Sequence, residues 1–187
     1  MKQAKCFSDR HYEIGKIDDK IYASFTEHLG RCIYSGIYEP GHPESDEEGF
    51  RKDVVEIIKD LNLSLIRYPG GNFVSCYDWH DGIGPKEDRP KRMEYAWSSI
   101  ETNEFGIDEF CRWAKKAGIE PMIAVNLGTG NIKDAGDLVE YCNHPGGTYW
   151  SDLRIQNGSR EPYNIKYWCL GNEMEGGWQA GHLSAQD

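Results

Sequence analysis

Short apolar runs with the spacing of β-strands alternate along this sequence with longer runs that have the spacing of α-helices. Four strand-like runs occur, at residues 21–25, 64–68, 121–126 and 165–170. Three helix-like segments lie between them, at residues 50–61, 107–118 and 134–143. Strands separated by helices at this spacing are typical of βαβ units and a parallel sheet. The pattern therefore predicts an α/β fold, with a further helix after Gly176-Gly177.

Polar side chains stand at the carboxyl ends of all four predicted strands. They are Glu27, Arg67, Asn126 and the pair Asn172-Glu173. A doubly wound sheet gathers its ligand groups near one switch point, whereas a (β/α)8 barrel collects them from many strands. The spread over four strands favours the barrel. Since a complete barrel takes roughly 250 residues, the 187-residue chain is expected to hold its first half, about four βα units.

The most informative stretch is the last strand, which starts at Ile165 and is predicted to be buried on both faces. It ends at Gly171, directly before Asn172 and Glu173. A carboxyl group at this rim is expected to be held in place and only partly hydrated. Desolvation would raise the pKa of such a group, which suits a proton donor. The alternative is that Asn172 caps a helix that Glu173 begins.

A second informative stretch runs from Arg67 through Pro69-Gly70-Gly71 to Asn72. The two glycines allow backbone angles that other residues avoid. Arg67 could hold a carboxylate in position, and Asn72 could bond a sugar hydroxyl. The alternative is a plain turn whose arginine packs on an aromatic ring. A functional role is favoured because an arginine ending a strand inside a sheet needs an acidic partner.

Two neighbouring residues after the first strand are ambiguous. Glu27 would either bind substrate hydroxyls or form a structural ion pair with Arg67, and His28 is predicted to be a hydrogen-bonded rim histidine rather than a ligand. The long segment 72–104 contains too many Gly, Pro and Trp residues for regular structure. We expect an ordered loop there, because it also carries five aromatic residues, Phe73, Tyr77, Trp79, Tyr95 and Trp97.

Charge and composition exclude several classes of partner. The net charge is -10, from 21 basic and 31 acidic residues, and this argues against nucleic acid or an anionic membrane as partner. No apolar run approaches the roughly 18 residues of a membrane span, and no signal-like segment follows Met1. We therefore expect a cytoplasmic protein. An acidic, aromatic-rich rim suits sugars, which stack on rings and bond to carboxylates and amides.

The cysteines and histidines give no sign of a metal site or cofactor. None of the six cysteines forms a C-x-x-C pair, and the six histidines show no H-x-x-x-H or H-E-x-x-H spacing. The cysteines are therefore predicted to be free thiols, with Cys111, Cys142 and Cys169 buried. Neither a metal nor a cofactor is expected.

Five motifs together resemble the N-terminal part of the glycoside hydrolase family 51 α-L-arabinofuranosidases. They are FTEHLGRCIY at 25–34, RYPGGNFVS at 67–75, DGIGP at 81–85, WSSIETNEFG at 97–106 and WCLGNEM at 168–174. The resemblance implies a (β/α)8 barrel with an attached β-sandwich domain. Residues 18–187 would form the N-terminal half of the catalytic barrel. Residues 1–17 would belong to the β-sandwich, with a short strand expected at 12–17.

The resemblance also implies roles for individual residues. Glu173 would be the general acid/base and Asn172 would bond the 2-hydroxyl of the sugar. The arabinose subsite would further be lined by Glu27, Arg67 and Asn72, with Trp97 stacking nearby. The family retains anomeric configuration through a second glutamate, a nucleophile at the end of the seventh strand, which these residues do not include. Cys76 stands where glycine is expected, which affects the loop conformation rather than the chemistry.

The implied activity is the release of terminal α-L-arabinofuranosyl residues from arabinose-containing oligosaccharides and polysaccharides. The full-length family is expected to form homo-oligomers, namely hexamers, while this chain alone is predicted to be inactive. Two alternatives remain open at this point. One is another retaining glycosidase on the same barrel, cutting an endo linkage in the manner of an endo-glucanase. The other is a non-catalytic sugar-binding module.

Overall fold

The computed structural model describes residues 2–184 and 186, so Met1, Ala185 and Asp187 lie outside the description. The strands are β1 (Ser24–Phe25), β2 (Leu65–Tyr68), β3 (Arg92–Glu94), β4 (Ser99–Glu101), β5 (Glu120–Val125) and β6 (Tyr167–Leu170). The helices are α1 (Lys52–Asp60), α2 (Gly71–Val74), α3 (Ile107–Ala117), α4 (Ile132–Asn143) and α5 (Tyr149–Gln156). Short 3-10 turns occur at Arg10–Tyr12, Asp19–Tyr22, Trp79–Gly82 and Lys86–Asp88.

A parallel sheet with the order β1-β2-β5-β6 forms the centre of the fold. Phe25 lies beside Arg67, Arg67 beside Met122, and Ile123 beside Trp168. Each strand therefore neighbours the strand of the sheet that precedes it in the chain, and the order does not reverse. The prediction of a parallel α/β sheet with intervening helices is confirmed. Because the strands are parallel, their carboxyl ends meet at one edge of the sheet.

The core lies between the sheet and α3, which packs against β5 and α1. The apolar stripe predicted for this helix is buried, and Phe110 and Trp113 are fully enclosed. The helix ends at Gly118, whose φ of 73° is left-handed, as expected for a C-cap glycine. Within residues 2–184 and 186, none of the helices has the length and apolar character that a membrane crossing requires.

Two predictions about strands are wrong. The expected strand at 12–17 does not form, because Arg10–Tyr12 is a 3-10 turn and the residues after it are exposed without regular structure. The last strand, β6, is not buried on both faces, since its residues are half-buried and Leu170 is 77% exposed. Within the described residues β6 pairs with β5 alone, so one edge of the strand is open and little packs over its end.

The segment 72–104, predicted to lack regular structure, contains α2 and the antiparallel hairpin β3–β4. Hairpin strands are usually recognised by alternating apolar residues. In this hairpin, however, the buried positions are the carboxylates Glu94 and Glu101. Glu94 accepts hydrogen bonds from the backbone N–H groups of Ala96 and Trp97, at 2.7 and 2.6 Å. The hairpin is thus held by buried carboxylates rather than by an apolar face.

The carboxyl-terminal third differs from the prediction in two elements. The helix expected after Gly176-Gly177 is absent from the described residues, which form turns there. Helix α5 was not predicted, because its central inward position is the fully buried Arg154 rather than an apolar residue. Arg154 donates to backbone carbonyls of its surroundings, including those of Tyr141 and His144 at 2.8 and 2.7 Å.

The cysteines agree with their prediction except for the burial of Cys169. All six are free thiols, and Cys111 and Cys142 are buried between helices. Cys169 is only half-buried, because it belongs to β6 at the open side of the sheet. Cys6 and Cys32 are exposed.

Candidate active site

Glu27 follows β1 and its carboxylate lies over the glycines of the Pro69-Gly70-Gly71 turn. A Cβ on Gly70 would come within 2.7 Å of the Glu27 Cβ, and one on Gly71 would overlap both carboxylate oxygens. Gly70 also has a φ of 85°, so the conformational reason expected from the sequence holds. The second reason, space for the buried Glu27, emerges only from the fold.

The environment of Glu27 combines burial with opposing charges. The residue is 7% exposed. Burial raises the pKa of Glu27 above its ordinary value, while the charge of Arg67 and hydrogen bonding from Trp97 oppose that rise in part. The negative charge of Glu94 adds to the increase in pKa. Glu27 is therefore held near Arg67, Trp97 and Glu94, which come from three different segments.

Arg67 points from β2 toward the end of β6. Its Nη1 donates to Asn172 Oδ1 at 3.2 Å, and its guanidinium lies 5.2 Å from the centre of the Phe25 ring. In the part of the chain that is described, Arg67 has no carboxylate within ion-pair distance, so the predicted contact ion pair with Glu27 is not formed. Its Nε is buried and has no hydrogen-bond partner among these residues. The packing interpretation thus describes part of its environment, whereas a functional role of Arg67 stays a prediction.

Asn172 and Glu173 follow β6 directly but differ in environment. Asn172 is buried and accepts the hydrogen bond from Arg67. Glu173 is exposed, has a left-handed φ of 48°, and accepts a hydrogen bond from Trp178 Nε1 at 3.2 Å. No helix begins here, so the helix-cap alternative is wrong. The expected shielding of the carboxyl group is also not found, since the described residues leave Glu173 open to solvent.

The remaining predicted residues surround this edge of the sheet. Asn72 is half-buried in α2, and Trp97 is 42% exposed in the hairpin turn. Asn126, at the end of β5, has a structural role: its Oδ1 accepts from the backbone N–H groups of residues 128–130, and its Nδ2 donates to the Tyr77 carbonyl. The structure thus places the candidate residues around one edge of the sheet. Contacts between candidate residues include the hydrogen bond from Arg67 to Asn172 and the hydrogen bonding from Trp97 to Glu27.

A sequence model of the α-L-arabinofuranosidase 1 domain matches residues 57–182 of this chain. The chain belongs to this family. An intracellular exo-α-(1→5)-L-arabinofuranosidase of Acetivibrio thermocellus is 61% identical over 187 residues, covering 100% of this chain and 37% of the relative. An exo-α-(1→6)-L-arabinofuranosidase of Bifidobacterium longum is 55% identical, over 100% of this chain and 36% of that protein.

The fold agrees with solved members of the family. The structure of a family 51 α-L-arabinofuranosidase from Bifidobacterium longum superposes with a TM-score of 0.87 at 58% identity, covering 89% of this chain and 33% of that one. The chain therefore corresponds to the N-terminal portion of family 51 arabinofuranosidases, and it spans little more than a third of the length of the curated relatives.

His28 and Glu101 are two buried residues of this family 51 segment that were not assigned to the site from the sequence. The His28 Nδ1 lies 2.8 Å from Glu101 Oε2, and its Nε2 lies 3.0 Å from the Tyr68 hydroxyl. The prediction of a hydrogen-bonded histidine is confirmed. In the sequence, Glu101 is simply part of the motif at 97–106. Its contact with His28 could not be predicted, because the two residues are 73 positions apart and no local spacing connects them.

A cavity of about 210 Å³ lies between the hairpin and the segment that follows α2. Its walls include Cys76, Tyr77, Glu94 and Tyr95. Cys76 is half-buried; burial raises the pKa of its thiol, and the nearby charge of Glu94 adds to that increase. The charge of Glu94 also raises the pKa of Glu27. The cavity therefore borders the candidate active site on the side of the hairpin.

Proposed function

We propose that this chain is the acid/base-bearing half of a retaining glycosidase that releases terminal α-L-arabinofuranosyl residues. The observation that carries the proposal is the link between strands at the carboxyl edge of the sheet. Arg67 from β2 bonds Asn172, which directly precedes Glu173 after β6. This bond holds the residue that precedes Glu173, and it supports a position for Glu173 at the rim where parallel α/β folds bind ligands.

Glu173 acts as the general acid and then as the general base. It protonates the departing glycosidic oxygen while a second carboxylate, from the part of the protein beyond this chain, attacks the anomeric carbon. A water then loses a proton to Glu173 and displaces the second carboxylate, so that arabinose leaves with retained configuration. Retaining enzymes hold the two carboxyl groups about 5–5.5 Å apart. The present exposure of Glu173 leaves room for the segment that carries that partner.

Glu27, Arg67, Asn72 and Asn172 bind the sugar, and Trp97 stacks against it. The pattern suits a neutral sugar, because the carboxylate accepts hydroxyl protons, the guanidinium donates, and each amide can do both. Asn172 bonds the 2-hydroxyl, where hydrogen bonds strengthen in the transition state of glycoside hydrolysis. Among the described residues the buried Arg67 Nε has no hydrogen-bond partner, so it remains available to a ligand.

The architecture proposed for the whole protein follows from the order of the sheet. Residues 18–187 would form the first half of a (β/α)8 barrel, with later strands continuing from the open edge of β6 and closing on β1. Residues 1–17, of which 2–17 are described and exposed, would join a β-sandwich domain. Relatives named as intracellular support a cytoplasmic location, and we propose a homo-oligomer, a hexamer, for the complete protein. The linkage is open, since relatives are named for (1→5) and (1→6) bonds.

Kinetics of the full-length polypeptide tests the proposal. By full-length polypeptide we mean residues 1–187 joined to the remainder of the Acetivibrio thermocellus relative. We expect it to hydrolyse an aryl α-L-arabinofuranoside and the 187-residue chain alone not to do so. Glu173→Ala should abolish turnover of oligosaccharides while an activated aryl substrate still forms the covalent intermediate, which azide then intercepts.

The matched control is Glu175→Ala, which removes a second exposed carboxylate two residues away. It should leave kcat/KM within about twofold, because exposed surface substitutions rarely disturb a fold. Turnover of the aryl substrate by the 187-residue chain alone, lost in Glu173→Ala, would contradict the need for a second carboxylate. Equal effects of Glu173→Ala and Glu175→Ala would contradict the role of Glu173.

A further inference from the structure

His28 lies at the point where three segments of the candidate site meet. It directly follows Glu27, and its ring stacks on Phe73, the neighbour of Asn72, with centres 4.3 Å apart and planes 11° from parallel. Its Nδ1 meets Glu101 on β4, the hairpin strand that returns from the Trp97 turn. One buried ring therefore connects the segments that carry Glu27, Asn72 and Trp97.

The hydrogen bonds around the ring define its protons. The Tyr68 hydroxyl donates its single proton to the Phe105 carbonyl at 3.1 Å, so toward His28 Nε2 it can only accept. Glu101 accepts from the Tyr34 hydroxyl and from the Asn103 backbone N–H, the latter at 2.7 Å, as well as facing His28 Nδ1. The two assigned donors, Tyr34 and Asn103, favour the ionised form of the Glu101 carboxylate, and an ionised carboxylate can only accept. Both ring nitrogens of His28 therefore face acceptors, as in a doubly protonated imidazolium.

The charged and titratable groups around His28 come from several of the segments that pack against it, while Phe73 and Phe105 contribute uncharged rings. They are Glu27, Glu101, Tyr34, Tyr68 and Tyr77. Burial works to raise the pKa of Glu101, but the hydrogen bonds from His28 and Tyr34 outweigh it and hold that pKa below its usual value. The charge of His28 also lowers the pKa of Glu27. The flat Phe73 ring adds a favourable surface for a cation.

We propose that His28, held as a buried imidazolium by Glu101, is a positioning residue that fixes Glu27 and Asn72 for sugar binding. The inference rests on the proposed function, since it assigns those two residues to the sugar subsite. His28 touches no substrate itself. It acts by locking the backbone next to Glu27, by packing on the residue next to Asn72, and by supplying a positive charge beside the Glu27 carboxylate.

The first test counts protons and needs neither a variant nor activity. Neutron diffraction from crystals of the full-length polypeptide at neutral pH should show deuterium on both ring nitrogens of His28. A single deuterium would overturn the proposal. This result is independent of whether the polypeptide cleaves arabinofuranosides, so failure of the proposed function and failure of this inference can be told apart.

The second test uses His28→Gln and Glu101→Gln in the full-length polypeptide. Each should lower kcat/KM for the aryl arabinofuranoside by about 10²-fold, because small misplacements of binding groups have effects of that size. The kcat/KM of the double variant should be no lower than that of either single variant, because the two residues act as a unit. In His28→Gln the acidic limb of the pH profile should move to higher pH, because Glu27 loses the positive charge that favours its ionised form.

The control is Asp108→Asn, which alters a buried carboxylate outside the site. Asp108 accepts hydrogen bonds from the hydroxyls of Tyr141 and Tyr163, at 2.8 and 2.5 Å. This variant should lower the unfolding temperature yet leave kcat/KM and the acidic limb unchanged within about twofold. If the His28 and Glu101 variants behave like Asp108→Asn, their role is structural only and the proposal fails. The double variant, which removes both charges together, keeps the test valid if a single variant does not fold.

Discussion

The carboxyl edge of the sheet has two sides, and the residues on one side are far more buried and hydrogen-bonded than those on the other. On the side of β1, α2 and the hairpin, Glu27, Glu94, His28 and Glu101 are all buried within one hydrogen-bonded region. On the side of β6, Glu173 is exposed and its backbone is left-handed. The side proposed to bind the sugar is therefore preorganised by this chain, while the side that carries the proposed acid remains open to contacts from elsewhere.

The two sides also differ in how their order is maintained. The buried side is connected to the core through Arg89, which forms a bidentate pair with Glu109 of α3 and donates to the carbonyls of Gly84 and Asn103. On the open side, the Glu173 carboxylate accepts an exposed hydrogen bond from Trp178. Local stability is expected to follow this contrast, since buried networks open only with the core.

The largest effect is expected from Arg89→Ala, which would disconnect the buried side from α3. Burial works to raise the pKa of Glu109, but Arg89 outweighs it and holds that pKa below normal. Without Arg89, Glu109 keeps a pair with the more exposed Arg112 but loses its buried partner, and breaking a buried pair costs about 3–5 kcal/mol. Urea unfolding should show this loss at neutral pH. Lys59→Ala, which removes an exposed pair with Glu56, should change stability by less than about 1 kcal/mol.

The same Arg89 experiment has a defined pH dependence. Because the folded pKa of Glu109 is depressed, its contribution is present above the unfolded pKa and is lost as pH falls through the folded value. The difference between the wild-type chain and Arg89→Ala should therefore shrink in acid. If the difference in unfolding free energy between the wild-type chain and Arg89→Ala stays constant from neutral to acidic pH, the buried side does not depend on the ionised Glu109. That result would contradict the contrast between the two sides.

A smaller loss is expected from Gly71→Ala, which places a methyl group where the Glu27 carboxylate lies. Overpacking of this kind typically costs about 1–3 kcal/mol. Gly136→Ala is the matched control, because Gly136 is exposed in α4 and a Cβ there meets nothing within 4 Å. That change should stabilise the chain by about 0.5–1 kcal/mol. Opposite signs in chemical denaturation would support the close approach of Glu27 to the turn.

The parts of the fold that could be predicted are those whose signal is local. Strands β2 and β5 and helix α3 were found because their apolar residues recur with a regular period. Hairpin β3–β4 and helix α5 were missed because Glu94, Glu101 and Arg154 occupy inward positions that apolar residues normally fill. Their burial depends on hydrogen-bond partners that are distant in sequence, and no local pattern reveals those partners.

The site divides in the same way. Parallel strands place Glu27, Arg67 and Glu173 at one edge, and that much follows from the order of elements. The bond from Arg67 to Asn172 spans 105 residues. The contact between His28 and Glu101 is also long-range, and no sequence spacing predicts it. The shielding expected for Glu173 depends on packing against β6, which lies at an open edge of this sheet. Whether Glu173 is buried depends on the residues that pack around it, so the sequence of β6 alone could not predict its exposure.

A gain in stability is expected on the open side from Glu173→Gly. A left-handed residue with a side chain costs roughly 1–2 kcal/mol, and glycine removes that strain while losing part of the gain to its greater freedom in the unfolded chain. We expect a net increase of about 0.5–1 kcal/mol in the free energy of unfolding. Glu175→Gly should instead destabilise slightly, because Glu175 is not among the left-handed residues. A loss of stability in Glu173→Gly would show that contacts rather than strain dominate there.

The smallest effect, and the one that most directly joins stability to the site, concerns Glu27. Burial raises its pKa in the folded chain, so keeping it ionised is unfavourable above the folded pKa, and this penalty disappears below the unfolded pKa. Glu27→Gln should therefore stabilise the chain more at pH 7 than at pH 4, as measured by urea unfolding at both values. Glu175→Gln, at an exposed position, should show no such difference. A carboxylate that is retained although it lowers stability is typical of a binding group. If Glu27→Gln changes the free energy of unfolding equally at the two pH values, Glu27 carries no such cost and does not differ from an exposed carboxylate.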